Sequence, residues 1–377
     1  MVGCAQMDGV GLAQRLDLQA VRFDQMPGWQ TDTLSRSFAG FRAECHRLAL
    51  LPPDTRLGGM GLAADYGGQA AQWAAPCAAS AALVVNDEAG IRHFYERWFQ
   101  PYRLLAAGFF TGYYEPEVQG ARSRGGGFTV ALLARPANLI QAPPFSGDPG
   151  APRPVGRMVH GKLIPFFTRA EIEAGALGTA AHPLLWLRSP ADLFFLQVQG
   201  AGRVRLPDGS MVRVGYDGKN GRTYTPIGRV LIQQNEMAAQ DVNMQSIKAW
   251  LAAHPAEAQS LMDRNDDYVF FKELNCDAQI GPPGALGVDL TPQRSAAVDP
   301  HYVPMGTPLF VDTTDPVSGA PWRHLVLAQD SGTDIKGPAR ADLFFGFGAQ
   351  AEQAAGRMQQ AGTAYILLPR PVQDGAA

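Results

Sequence analysis

Apolar positions recur at helical spacing over the first hundred residues, and then the period changes. Leu34, Phe38, Phe41, Cys45 and Leu48 line one face of a helix predicted over residues 31–50. Thr31, Asp32 or Thr33 can cap its start, and Pro52-Pro53 ends it. Residues 69–83 predict a small-residue helix around Trp73, and Asn86 is placed to cap a third helix with Ile91, Phe94, Tyr95 and Trp98 as its apolar side. From residue 104 the pattern turns β-like. A Pro/Gly-rich stretch, 136–157, reads as a surface loop. Strands are predicted at 184–188, 193–199, 203–206 and 211–216, the last two joined by the Pro207-Asp208-Gly209 turn. Helices return at 226–237, 241–253 (capped by Asp241) and 255–263. Residues 268–271 form a strand again. A C-terminal β region runs from 286 to 369, with a helix at 349–361 and a final strand at 364–368.

The length, 377 residues, is that of two domains. With 46% hydrophobic and 18% charged residues, large cores are affordable. Gly 42 and Pro 29 suit a turn-rich, mainly β protein with helices. A net charge of −3 offers no basic field for nucleic acid, so no nucleic-acid partner is expected. No apolar run is long enough to span a membrane as a helix. Val2-Gly3-Cys4 resembles the end of a bacterial lipoprotein signal, with Cys4 as the lipidated residue. The four cysteines, Cys4, Cys45, Cys77 and Cys276, have no metal-ligand spacing. In an exported protein Cys45 and Cys77 could join two N-terminal helices by a disulfide; otherwise they are buried thiols.

Candidate chemistry concentrates near the C-terminus. Asp299 precedes Pro300 and Asp330 precedes Ser331-Gly332, both at strand exits, where aspartates often brace turns. Asp342 differs, because Ala341 and Leu343-Phe344-Phe345 flank it within a strand. A carboxylate in such a setting is costly to desolvate, so its pKa rises and it can serve as an acid near neutrality. Further upstream, Gln197 and Gln199 would share one face of the predicted strand, with Gly200 and Gly202 allowing close approach of a polar ligand. The other reading is an ordinary solvent face. Lys219 and Asn220 lie in a polar loop, 216–222, and Thr111-Gly112-Tyr113-Tyr114 could stack a sugar or seal a barrel end. The aspartates lack the alternating acidic loop of calcium sites, so no metal or other cofactor is expected. No histidine stands in a nucleophile motif, which disfavours acyl transfer.

Taken in order, these segments resemble the membrane-bound lytic murein transglycosylase A family. Thr111 to Pro116, Gln197 to Gly202 and Tyr216 to Gly228 resemble its central region. Ala297 to Pro300, Pro304 to Thr307, Gln329 to Gly332, Ile335 to Gly337 and Arg340 to Asp342 resemble its C-terminal three-aspartate domain. The likeness covers roughly residues 105–370. It implies a double-psi β-barrel made of residues 1–111 and 276–377, a smaller inserted β-barrel of residues 112–275, and a groove between them. It further implies cleavage of the β-1,4 bond between N-acetylmuramic acid and N-acetylglucosamine in peptidoglycan, without water, leaving 1,6-anhydro ends. Asp342 matches the family's acid, with Asp330 and Asp299 as companions. Thr111, Tyr113, Tyr114, Gln197, Gln199, Gly200, Lys219 and Asn220 are the candidates for holding glycan strands. The expected location is the periplasm, attached to the outer membrane through Cys4. Ser331-Gly332-Thr333-Asp334 departs from the Gly-Gly-Ala run usual there, with one extra residue before Asp342.

Two other readings fit the same residues. In a hydrolytic glycosidase, Asp330 would be the base that activates water. In a non-catalytic peptidoglycan-binding lipoprotein, the aspartates would only brace turns. A metal enzyme is a minor third.

Overall fold

The computed structural model describes residues 16–141, 154–275, 280–332 and 334–371. Cys4 and Cys276 lie outside the described residues, as do Thr333 and the middle of the loop expected at 136–157. The chain opens with β1 (Leu18–Ala20), α1 (Ser35–Leu48), α2 (Leu62–Gly67), α3 (Ala74–Ala81) and α4 (Glu88–Trp98). Then come β2 (Phe99–Leu104), β3 (Gly108–Glu115), β4 (Glu117–Ala121), β5 (Val130–Leu133), β6 (Ile140–Gln141), β7 (Val155–Val159) and β8 (Lys162–Pro165). Next are α5 (Arg169–Glu173), β9 (Pro183–Leu187), α6 (Pro190–Gln199), β10 (Ala201–Arg205), β11 (Met211–Lys219), α7 (Ile227–Gln233), α8 (Met244–Ala253), α9 (Pro255–Met262) and β12 (Val269–Leu274). The last part holds β13 (Ser295–Val298), β14 (Pro308–Thr314), β15 (Pro321–Ser331), β16 (Arg340–Phe347), α10 (Ala349–Arg357) and β17 (Gln359–Pro369).

Six of these strands close into a ring. β3 runs parallel to β16, β16 antiparallel to β13, and β13 parallel to β15. β15 pairs with β14, β14 with β17, and β17 returns to β3, all antiparallel. Closure removes free edges, so every strand is paired on both sides. Inward residues alternate as the pleat requires: Phe110, Val298, Leu309, Val326, Ala341, Leu343 and Ile366 fill the interior. β2 and β1 extend the ring from the far part of β17. A second apolar core lies outside it, where Trp29, Phe38, Phe41, Trp73, Tyr95 and Phe99 pack on Phe310, Leu325 and Leu327.

A second sheet has the order β12-β11-β10-β4-β9-β5, and a bridge between Ala134 and Phe271 brings its two edges together. Its interior holds Val118, Leu132, Leu187, Val204, Val214 and Phe271, with Leu193 and Leu196 of α6 entering the same core. β6, β7 and β8 form a separate three-stranded sheet. The chain passes from one large sheet to the other at Pro116. The expected boundary between 111 and 112 therefore falls inside β3, whose residues as far as Glu115 pair with β16.

Several expected elements differ. The apolar run at 193–199 is the end of α6, not a strand. Ser189 caps this helix, Pro190 occupies its first turn, and Gly200 ends it in the left-handed conformation at φ 77°. Leu193 to Leu196 are all buried, so the run carries no alternation that would favour either element. The start of α1 has no side-chain cap of its own. Glu88 accepts hydrogen bonds from the Leu34 and Ser35 N–H groups instead, at 2.7 and 3.0 Å. The expected cap Asp32 is committed elsewhere: it binds Arg294 through two bonds of 2.9 Å, and accepts from the Leu325 N–H. α4 is capped by Asp87 rather than Asn86, and α8 by Asn243 rather than Asp241. The ends of the expected loop at 136–157 belong to β6 and β7. Cys45 and Cys77 form a disulfide between α1 and α3.

Candidate active site

Asp342 is the third residue of β16, and its neighbours Ala341 and Leu343 point into the barrel. Its own side chain must therefore point out, on the same side as its pairing partner Thr111 on β3. On its other flank Asp342 pairs with Ala297 of β13, which in turn pairs with Asp330 of β15. The four residues Asp330, Ala297, Asp342 and Thr111 thus form one row across four adjacent strands. A bulge sets this row. Ala296 faces Ala328, yet Ala297 faces Asp330, so Gln329 is the extra residue. Without the bulge, Asp330 would share the inward face of Ala328.

Thr111 Oγ1 donates to Asp342 Oδ1 at 2.5 Å. Arg340 Nη2 donates to the same Thr111 oxygen at 2.7 Å, and Arg340 Nη1 donates to the Ala341 carbonyl at 2.7 Å. Burial pushes the Asp342 carboxyl up to about 6; the Thr111 hydroxyl and the Arg340 cation pull it down, and Asp330 pushes it further up. Asp342 nonetheless keeps part of its surface open. Asp330 accepts from Tyr113 Oη at 3.0 Å through Oδ2, and from the Ala285 and Ser331 N–H groups, both at 2.9 Å, through Oδ1. All three partners are donors, which favours a carboxylate, although burial raises its pKa above the usual range. The Tyr113 ring lies on Phe344 with centroids 5.2 Å apart.

Asp299 stands apart from this row. It is buried at the exit of β13, where its carboxylate accepts from the His301 N–H at 3.1 Å and the Gly337 N–H at 3.0 Å. Lys336 Nζ is 3.9 Å away. Asp299 therefore braces the loop that delivers the chain into β16.

The residues expected to hold a ligand separate into groups. Thr111 and Tyr113 contact the aspartates directly. Tyr114 is buried, and its N–H donates to Gln199 Oε1 at 3.0 Å, tying the ring to α6. Gln197 does not share a face with Gln199, because residues two apart on a helix point in nearly opposite directions. It is buried, accepting from Arg169 at 2.6 Å and donating to the Val269 carbonyl at 3.0 Å. Gly200 ends that helix. Asn220 is fully buried and cross-links its loop, donating to the Phe167 and Asp266 carbonyls and accepting from the Tyr268 N–H. Lys219 is half-buried, 3.4 Å from Asp267.

Two residues near Asp342 had drawn no role from the sequence. Arg340 belonged to the quoted motif, yet nothing in its neighbours Pro338 and Ala339 hints at a bond to Thr111, 229 residues away. Tyr224 lies in the loop after β11. Burial raises its pKa first, and the carboxylates of Asp334, Asp267 and Asp342 add to the rise, so the inserted part of the chain meets the aspartate row here. Asp334 in turn faces Arg229, Lys219, Arg340 and Lys336.

Residues 109–272 match the family described as the MltA specific insert domain, and residues 294–368 match the 3D domain. Over 270 residues the chain is 32% identical to the membrane-bound lytic murein transglycosylase A of Escherichia coli K12, a match that takes in 70% of this chain and 66% of that protein's length. Among solved structures, the membrane-bound lytic murein transglycosylase from Agrobacterium tumefaciens is similar with a TM-score of 0.84 at 32% identity, covering 94% of this chain and 98% of that one. Escherichia coli MltA with bound chitohexaose has a TM-score of 0.68 at 28% identity, covering 94% and 95%.

Proposed function

The chain belongs to the membrane-bound lytic murein transglycosylase A family, and from that premise we propose that it is a peptidoglycan lytic transglycosylase with Asp342 as its single acid and base. Asp342 protonates the bridging oxygen as the bond from C1 of N-acetylmuramic acid to that oxygen breaks. The C6 hydroxyl of the same sugar then bonds to C1, and its proton passes to the Asp342 carboxylate. No water is consumed, and the acid is regenerated. A glycan strand is the proposed substrate, in keeping with a relative that binds chitohexaose.

The observation that carries this reading is the pairing of one carboxyl raised to about 6 with a second carboxylate that already accepts three hydrogen bonds from the protein. A hydrolase would need Asp330 to take a proton from water. Its two oxygens instead receive Tyr113, Ala285 and Ser331, and it acts by keeping Asp342 protonated. Asp299 supports the site at one remove, through the loop before β16. Lys219 reaches the glycan from the inserted unit. Gln197, Gln199, Gly200, Tyr114 and Asn220 shape that unit and its junction with the ring, and the two-unit division runs through Pro116. The relatives are named membrane-bound, which supports a place in the cell envelope. Cys4 is the proposed lipid anchor to the outer membrane.

Digestion of purified sacculi by wild type and Asp342→Asn, with product masses read out, tests the reading. Products one water lighter than reducing-end muropeptides are expected from wild type alone. Products of full hydrolytic mass, or undiminished release by Asp342→Asn, would overturn it.

A further inference from the structure

Asp342 has two carboxyl oxygens, and the protein treats them differently. Oδ1 receives the Thr111 hydroxyl. Among the described residues, none bonds to Oδ2. The Thr111 hydroxyl has one proton to give, and its direction is set by what its oxygen accepts. Arg340 Nη2 occupies that oxygen from the other side at 2.7 Å. A guanidinium is never an acceptor, so the Thr111 proton turns away from it and onto Oδ1. The guanidinium itself is held in place: its Nη1 is spent on the Ala341 carbonyl, and its Cζ lies over the Phe109 ring, 5.4 Å from the centroid. Strand register builds this arrangement, since Arg340 pairs with Phe109 and Asp342 with Thr111 on the same two strands.

We propose that Arg340 is a positioning residue for Asp342: it commits the Thr111 proton to Oδ1 and leaves Oδ2 as the oxygen that gives and takes back the transferred proton. The proposal rests on the assignment of Asp342 as the acid and base. It adds a second consequence. When Asp342 has lost its proton, the Thr111 bond and the nearby cation stabilise the carboxylate, so proton delivery meets less resistance. The charged and titratable groups that face Asp342 are Arg340 on its own strand, Asp330 on β15, Tyr113 on β3 and Tyr224 from the inserted unit. Asp334 faces Arg340. Of these, Arg340 is the cation.

The test is the pH dependence of kcat/KM for release of anhydro product from solubilised glycan strands, for wild type, Arg340→Gln, Arg340→Lys, Thr111→Val and Thr111→Ser. Activity requires protonated Asp342, so it falls on the alkaline side as that proton is lost. Arg340→Gln and Thr111→Val each remove support for the carboxylate. Both are expected to move the alkaline limb upward by roughly one pH unit and to lower the plateau kcat about tenfold, the equivalent of one hydrogen bond to a charged group. Arg340→Lys and Thr111→Ser keep the cation and the hydroxyl and are expected to restore the limb. A limb that stays in place in Arg340→Gln with wild-type thermal unfolding, or that Arg340→Lys fails to restore, overturns the proposal. If Arg340→Gln does not fold, the Thr111→Val and Thr111→Ser pair decides by the same criterion. Asp342→Asn run alongside separates the two levels. An active Asp342→Asn removes the acid assignment, whereas an inactive one beside unmoved limbs removes only the role of Arg340.

Discussion

Asp330 and Asp342 flank a single residue, Ala297, each paired with it from opposite sides. Two strand spacings separate their backbones by roughly 10 Å, close enough for one charge to act on the other and too far for the carboxyls to share a proton as a tight dyad does. Burial raises the Asp330 pKa, while its three hydrogen-bond donors favour the carboxylate, and a charge there raises the pKa of Asp342. Asp330→Asn removes that charge while preserving size. The Asp342 pKa then falls from about 6, and less acid remains at neutral pH. The alkaline limb of the pH–rate profile is expected to move down by up to roughly one unit, which would cost up to about tenfold in rate at pH 7. The shift is opposite in sign to that of Arg340→Gln, and a profile that moves upward would contradict the assigned charge state of Asp330.

Keeping an acid buried costs stability. The folded-state value of about 6 for Asp342 lies above the ordinary aspartate value of 3.8. Between these values the folded chain holds a proton that the unfolded chain has released. Stability contributed by this group is therefore full at low pH and is lost as pH rises from about 4 to about 6. Above that window the penalty is on the order of 3 kcal/mol. Asp342→Asn has no charge to desolvate. It is expected to be more stable than wild type at pH 7.5 by up to about 3 kcal/mol, and equal to it near pH 4, while losing at least about 10²-fold in activity. Urea denaturation of both proteins at the two pH values measures this.

Much of the aspartate row was legible in the sequence, and the reason is local. Ala341-Asp342-Leu343 is a polar residue between two inward apolar ones, so strand alternation alone turns Asp342 outward. Asp330 was not legible in that way. Strict alternation along Val326, Ala328 and Asp330 would bury its carboxyl inside the ring, and only the bulge at Gln329 re-aims it. A bulge is fixed by the partner strand, which lies about thirty residues earlier in the chain. The error at Gln197 and Gln199 has a different source. Leu193 to Leu196 are buried on every side, so no period distinguished helix from strand, and Ser189-Pro190 and Gly200 were the only local marks of the helix. Asn220 sits in a polar, glycine-rich loop that looks solvent-facing from composition. Its amide is instead consumed by carbonyls of residues 167 and 266.

The passage between the two sheets offers a stability test. Glu115 ends β3 with its side chain fully buried, and its carboxylate receives Arg203 Nε at 2.9 Å, Arg213 Nε at 3.0 Å and Arg213 Nη2 at 3.1 Å. The Arg203 guanidinium also lies 3.5 Å from the centroid of the Phe347 ring, which binds the inserted sheet to β16. Glu115→Gln removes the carboxylate charge that both buried guanidinium groups contact. Glu115→Gln is expected to destabilise the chain by about 3–5 kcal/mol. The reading is a lower denaturant midpoint with an unchanged slope. A changed slope would mean that the two sheets no longer unfold together.

The disulfide between Cys45 and Cys77 predicts a separation of stability from activity. It spans 32 residues of sequence and joins α1 to α3 beside the aromatic core of Phe41 and Trp73. Closing a loop of that length restricts the unfolded chain by about 3–4 kcal/mol. No residue of α1 or α3 bonds to Asp342, Thr111, Arg340 or Asp330 among the described contacts. Cys45→Ser/Cys77→Ser is therefore expected to unfold at a temperature lower by several degrees, with kcat at 25 °C unchanged. If the variant kept its melting temperature but lost activity, the helices would have to govern the aspartate row through β15, where α1 rests on Leu327 and Gln329. Thermal unfolding and anhydro-product release, measured on the same preparation, distinguish the two outcomes.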